Sequence, residues 1–355
     1  MFSCIFLAKL VGCALLCIAT EERDPRVPQM LLPAIHSQEV QDALELEPAD
    51  REWLESQFLE LDGVWWRARL LPETERQQTV AEVESKLLER LSKKLTPKQI
   101  ERLRQLVVQA QGTRALLRTD IAEVLKLSAE QRQQLSELAT ATVEIQQQVD
   151  AQRAAGGDLS ELQKQWQEQQ QKEQLESIRL LDTTQKKAWA QVAGELVDLT
   201  KAQRIYPMAP EFAESSKWLG KSPGLIKDMK GKVVVVHFYA FQCINCQRNF
   251  HHYNTWRDQW AGEDVVVVGI QTPETPAESN IDLVRQAIEK DQFRFPVIMD
   301  SDHANWKAWG NTMWPTVYVI DKRGYIRMWW QGELNWQGAT GDQQVTKIVD
   351  QLLKE

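Results

Sequence analysis

Residues 231–246 read Gly231-Lys232-Val233-Val234-Val235-Val236-His237-Phe238-Tyr239-Ala240-Phe241-Gln242-Cys243-Ile244-Asn245-Cys246. The unbroken apolar run from Val233 to Tyr239 predicts a strand buried on both faces, as in the centre of a parallel sheet. Two cysteines in a CxxC pattern follow it directly. Beyond them, Cys246, Phe250, Tyr253, Trp256 and Trp260 recur at helical spacing. They form one apolar stripe on a helix predicted over Asn245–Trp260. Cys243 therefore sits where a central strand ends and a helix begins. A helix N-terminus carries partial positive charge and unpaired N–H groups, which stabilise a thiolate. Only the thiolate attacks disulfides. The expectation is an exposed, nucleophilic Cys243 and a buried Cys246, one turn in, that resolves the mixed disulfide.

Working outward, strands are predicted over Lys232–Tyr239, Asp264–Ile270, Phe295–Met299, Thr316–Ile320 and Tyr325–Gln331. Asp321-Lys322-Arg323-Gly324 makes the turn of an antiparallel hairpin between the last two. Further helices are predicted over Ser279–Lys290, His303–Trp309 and Gln343–Lys354. Strands interleaved with helices give an α/β domain over residues 205–355. Its start is marked by Pro207 and Pro210, which stop the preceding helix. A lone CxxC can also be half of a zinc site. No second CxxC exists, and His251 and His252 lie further along the same helix, pointing away from its tip, so redox chemistry is favoured over metal. Neither a metal nor a cofactor is expected.

The chain has five cysteines. The other three, Cys4, Cys13 and Cys17, lie in the apolar stretch MFSCIFLAKLVGCALLCIAT at residues 1–20. The run from Leu10 to Ala19 is too short to span a bilayer but fits a signal-peptide core. Cys17 and Ala19 stand at −3 and −1 for cleavage after Ala19. An uncleaved anchor is the alternative, and Leu10-Val11-Gly12-Cys13 resembles a lipobox. The expectation is an exported protein of the periplasm or cell envelope, with an N-terminal tether as a variant and residues 21–38 as a linker. Export places the CxxC outside the reducing cytosol. With 43% hydrophobic and 26% charged residues the chain is globular in composition. Its formal net charge of −8, with no basic tract, argues against nucleic acid as a partner.

Residues 39–204 are rich in Leu, Gln, Glu, Arg and Ala, which favours helix. Three short segments echo one another: Leu95-Thr96-Pro97-Lys98-Gln99, Leu127-Ser128-Ala129-Glu130-Gln131 and Leu181-Asp182-Thr183-Thr184-Gln185. Each reads as a helix start, with Thr96, Ser128 or Asp182 as N-cap and a glutamine closing a capping box. Glu47-Pro48-Ala49-Asp50 is a degenerate fourth copy. Eleven glutamines between Gln146 and Gln174, split by Ala154-Ala155-Gly156-Gly157-Asp158, predict a polar helical hairpin. A solvated arm or a self-association element is the plainer reading of it, and a client-binding surface the sharper one. The helix starts resemble those of Spy/CpxP-like periplasmic helical chaperones with LTxxQ motifs.

The C-terminal motifs carry a more specific resemblance. Trp218-Leu219, Gly231–Val235 and Phe241–Cys246, then Val268–Glu274, Phe295–Asp300 and Trp314–Asp321, follow one another as in thioredoxin-fold thiol–disulfide oxidoreductases of the TlpA/ResA-like class. The Cys-Ile-Asn-Cys variant is similar to the C-terminal domains of DipZ-type proteins. The resemblance covers roughly residues 205–355. It implies that Pro315 is a cis-proline facing the CxxC and that Trp314 helps form a substrate groove; a core tryptophan is the alternative. It also places His237 where many thioredoxins carry a buried acid, and Tyr239 where tryptophan is common. His237 reads either as a hydrogen-bonded core histidine or as a base that titrates near neutrality unless burial shifts it.

The leading expectation is an exported oxidoreductase acting on protein thiols or disulfides, supplied by a membrane or periplasmic electron donor or acceptor. A helical chaperone or adaptor whose thioredoxin-like domain docks partners or carries metal is the non-enzymatic alternative. A peroxiredoxin-type peroxidase is disfavoured, because Tyr239–Cys243 lacks the Pro-x-x-x-Thr/Ser-x-x-Cys pattern.

Overall fold

A computed structural model describes residues 23–199 and 206–355. The expected signal peptide or anchor lies outside them. The described chain forms two compact units. One comprises Glu52–Arg76 with Tyr206–Glu355, and the other comprises the remainder.

The remainder is helical. It contains α1 (Leu31–His36), α2 (Gln38–Ala43), the start of α3 (Pro48–Ala68), most of α4 (Glu73–Lys94), α5 (Pro97–Gln111), α6 (Thr119–Val124), α7 (Ala129–Ala154), α8 (Ser160–Arg179) and α9 (Thr183–Ala193). The expected linker 21–38 is thus partly helix. Leu31, Leu32, Ala34 and Ile35 are buried, and the buried Glu84 carboxylate accepts from the Leu31 and Leu32 N–H groups at 2.9 and 3.4 Å, capping α1 from another helix. The degenerate copy at Glu47 also opens a helix, α3.

All three capping boxes form. The N3 amides of Gln99, Gln131 and Gln185 donate to the side chains of Thr96, Ser128 and Asp182 at 3.3, 3.1 and 2.8 Å, and each glutamine Oε1 accepts from its own N-cap N–H. Two of the starts also meet. Gln131 Nε2 donates to Gln185 Oε1 at 2.8 Å, and Leu127 and Leu181 are buried in one cluster. The glutamine-rich stretch folds as the expected hairpin, α7 against α8.

The second unit is an α/β sheet of six strands, β1 (Lys217–Leu219), β2 (Val233–Tyr239), β3 (Val265–Gln271), β4 (Val297–Met299), β5 (Thr316–Ile320) and β6 (Ile326–Gln331), in the order β1-β4-β3-β2-β5-β6. β2 pairs parallel to β3 and antiparallel to β5. The short edge strand β1, antiparallel to β4, has too few residues to show a period and was not expected as a strand. Helices α10 (Ile244–Gln259), α11 (Ile281–Lys290), α12 (Ala304–Ala308) and α13 (Gly341–Leu352) complete the unit.

Every residue of β2 is buried. Val233, Val235 and Tyr239 pack against Phe250, Tyr253 and Trp256 of α10 and Val345 and Val349 of α13. Val234, Val236 and Phe238 face the other way, into a cluster with Phe212, Trp309, Tyr318 and Trp66. Trp66 belongs to α3. Its indole N–H donates to the Trp309 carbonyl at 2.8 Å, its ring meets Trp329 edge-on at 4.9 Å, and the Arg69 guanidinium lies 3.6 Å over it. Asp62 accepts from the Met208 N–H at 2.8 Å. The expected helical stretch 39–204 is therefore divided. Glu52–Arg76 joins the α/β unit because Trp66 adds to the apolar cluster on that face of the sheet.

Candidate active site

Strand β2 ends at Tyr239, and Ala240–Gln242 turn the chain into α10. The turn is fixed by the Cys243 N–H donating to the Ala240 carbonyl at 3.2 Å and the Gln247 N–H donating to the Cys243 carbonyl at 3.0 Å. Cys243 is the N-cap of α10, with extended φ/ψ of −67° and 115°. Both cysteines are thiols. Cys243 is half-buried, whereas Cys246 has no exposure.

This arrangement separates the two acidities. The hydrogen bond from the Cys246 thiol holds Cys243 down to about 7 from an ordinary 9.0, helped by the Cys246 and Asn245 N–H groups of the first turn. Burial and the Glu274 charge oppose it. Burial, and the hydrogen bond it gives to Cys243, push the Cys246 thiol far up. At neutral pH Cys243 is thus close to half ionised, while Cys246 keeps its proton.

Trp314–Pro315 is a cis peptide bond. Pro315 lies one position beyond the Phe238–Thr316 register pair, at the end of the sheet where β2 gives way to the CxxC turn. Trp314 is partly buried against the cluster that holds Cys246 and Cys243. Its indole N–H donates to the Thr272 carbonyl at 3.1 Å, and its ring stacks on Trp306 at 4.0 Å. Ile244 and Met313, 58% and 45% exposed, leave apolar surface on these two loops.

His237 is wholly buried on the α10 side of β2. It stacks on Tyr253 with centroids 3.8 Å apart and meets Phe295 edge-on at 4.9 Å. Gly269 stands opposite it in β3, where a Cβ would come within 3.0 Å of the imidazole. Neither ring nitrogen has a hydrogen-bond partner among the described residues. Burial lowers its pKa to about 3, so the ring is neutral across the physiological range. It is a core residue without the hydrogen bond of the first reading, and burial shifts its titration away from neutrality. Tyr239 beside it is equally buried, its hydroxyl pushed up by burial and by the nearby Asp291 charge. The His251 and His252 rings meet at a tilt of 39° with centroids 3.8 Å apart, and His252 lies 4.0 Å from Asp342.

Sequence reasoning missed two buried carboxylates. Asp300 accepts from Thr272 Oγ1 at 2.9 Å and from the Trp306 N–H at 3.0 Å, so it fixes both groups that hold Trp314. Glu278 accepts from the N–H of Gln242, the residue before Cys243, at 2.7 Å. The Asp300–Thr272 and Glu278–Gln242 contacts join residues 28 and 36 positions apart, so no local spacing betrays them. Asn249, also buried, links α10 to the loop after β6 by accepting from the Leu334 N–H at 3.0 Å.

Several known proteins resemble the C-terminal part of the chain. Residues 207–328 match the AhpC/TSA family. The chain is 33% identical over 151 residues to Protein DipZ of Mycobacterium tuberculosis, covering 41% of this chain and 21% of that protein. It therefore spans about a fifth of that relative's length. It is 25% identical over 146 residues to the thiol-disulfide oxidoreductase YkuV of Bacillus subtilis, covering 41% of this chain and 94% of that one. A solved structure of a thioredoxin-like protein in the oxidised form aligns at 24% identity and a TM-score of 0.37, covering 42% of this chain and 96% of that chain. The C-terminal part is a thioredoxin-like domain with thiol–disulfide relatives. The resemblance of the helical region to Spy/CpxP-like proteins finds no support.

Proposed function

We propose that this thioredoxin-like domain exchanges disulfides with protein substrates through Cys243 and Cys246, on the strength of one observation: an accessible thiol held near pKa 7 by a fully buried thiol one helical turn away. The Cys243 thiolate attacks one sulfur of a substrate disulfide, and the other sulfur leaves as a thiolate. Cys246 then passes its proton to the substrate thiolate released in the first step and attacks the Cys243 sulfur. The substrate's second thiolate leaves, and the domain retains the Cys243–Cys246 disulfide. Two electrons have passed to the substrate, and the reverse sequence oxidises a dithiol. Pro315 and Trp314 border the position a substrate strand takes, with Ile244 and Met313 as its apolar contacts. His237 and Tyr239 are packing residues under α10 and move no proton.

The reading extends to an exported protein, on the apolar run Leu10–Ala19, with an envelope electron donor or acceptor as partner. Among the described residues no helix is long and apolar enough to cross a membrane.

A Cys246→Ser variant tests the mechanism. It retains the attacking thiol and lacks the resolving one, so substrates accumulate as mixed disulfides on Cys243, visible as reductant-sensitive adducts on non-reducing gels. Absence of any adduct in the variant, together with hydrogen peroxide consumption by the wild-type protein, would point to a peroxidase instead.

A further inference from the structure

Glu278 lies in the 3-10 turn Pro276–Ser279 that follows β3 and has no exposure. Both of its oxygens are in use. Oε1 accepts from the Gln242 N–H at 2.7 Å, and Oε2 accepts from the Glu274 and Thr275 N–H groups at 2.8 and 2.9 Å. Thr275 adds a second tie, donating its hydroxyl to Gln242 Oε1 at 2.8 Å. One carboxylate thus binds the turn that delivers Cys243 to the loop that carries Glu274, whose charge acts on both thiols. Burying a carboxylate is unfavourable unless its hydrogen bonds are met, and here all of them go to main chain of the two loops flanking the dithiol.

We infer that Glu278 is a positioning residue for the dithiol: it fixes the Ala240–Cys243 turn against the loop after β3, and so sets how readily the two sulfurs close into a disulfide. This rests on the dithiol reading. Closing Cys243 onto Cys246 requires a narrow range of Cβ positions. A turn held at Gln242 pre-arranges Cys243 for that geometry, and a loosened turn lowers the effective concentration of one sulfur at the other.

The experiment equilibrates full-length wild type, Glu278→Gln and Glu278→Asp with reduced and oxidised glutathione and reads the oxidised fraction. Thermal unfolding is followed in parallel. Both variants should lose at least threefold in the equilibrium constant for disulfide formation; a tenfold loss corresponds to about 30 mV. Glu278→Asp separates positioning from charge, since it keeps the carboxylate but falls a methylene short of three donors. A Glu278→Asp variant that folds and keeps the wild-type constant overturns the inference, even if its melting temperature falls. Hydrogen exchange on wild type stands independently of variant folding. The Gln242 amide should be protected at least a hundredfold over the unstructured rate, and an unprotected amide overturns the clamp. Wild type that forms no Cys243–Cys246 disulfide would instead overturn the dithiol reading.

Discussion

On one face of the sheet the cover is α10, which begins at Ile244 directly after β2 closes at Tyr239. On the other face it includes Trp66, whose partner carbonyl belongs to Trp309, 243 residues further along the chain. The first face carries the chemistry: the dithiol sits at the tip of its helix, and that helix packs on the same strand that leads into it. The second face carries no group used in exchange, yet it borrows its cover from a distant segment. The strand, turn and helix that carry the dithiol are neighbours in sequence, whereas the cover of the second face includes remote chain. Damage to one face should therefore leave the other largely intact.

The widest test of that separation is Trp66→Ala. Removing a buried indole that also hydrogen-bonds should lower unfolding stability by about 3–5 kcal/mol, measured by denaturant titration. The midpoint of Cys243 alkylation against pH should stay near 7. A shifted midpoint would show that the two faces are coupled.

The next effect belongs to the dithiol face but not to its chemistry. His237 is buried neutral, with its pKa lowered to about 3 against 6.5 in the unfolded chain. Below pH 6.5 the unfolded state takes up a proton that the folded state refuses, so wild type loses stability as pH falls from 6.5 towards 3. His237→Phe lacks this loss. Its stability relative to wild type should improve by about 2 kcal/mol between pH 7.5 and pH 5, while the exchange rate at pH 7 stays the same. A loss of exchange at pH 7 would make His237 part of the chemistry.

The smallest effect is confined to the two sulfurs. Cys246→Ala removes the main cause of the acidity of Cys243, the thiol hydrogen bond. The alkylation midpoint should rise by at least one unit from about 7, equivalent to about 1.4 kcal/mol, with thermal stability little changed. An unmoved midpoint would assign the acidity to the first turn of α10 alone.

The same division governs how far the molecule could be read from its sequence. β2, α10 and the CxxC turn are encoded within one short stretch, where an apolar run, a helical stripe and a cysteine pair report directly on strand, helix and site. The capping boxes at Thr96, Ser128 and Asp182 were legible because a box closes within four residues. Thr275-Pro276-Ala277-Glu278 has the same spacing and closes the same box, so that part of the role of Glu278 was open to the same reading; its contact with Gln242, 36 residues away, was not. Asp300 lay inside a recognisable motif, but its hold on Thr272 and Trp306 exists only in three dimensions. Trp66 sits in a leucine-rich helical stretch, and nothing around it says that it faces a sheet. The two readings of His237 could not be separated from sequence, because the aromatic cage that surrounds it in place of a hydrogen bond has no local signature.

The allocation of Glu52–Arg76 makes the α/β unit discontinuous, with residues 77–205 as an insertion between two of its segments. Both ends of that insertion are anchored in one folded body, at Arg76 and at Tyr206. While the sheet remains folded, an unfolded insertion is a closed loop rather than a free tail, with fewer conformations available to it. The sheet thus lends its inserted helices an entropic advantage that they lose if the chain is cut at residue 205.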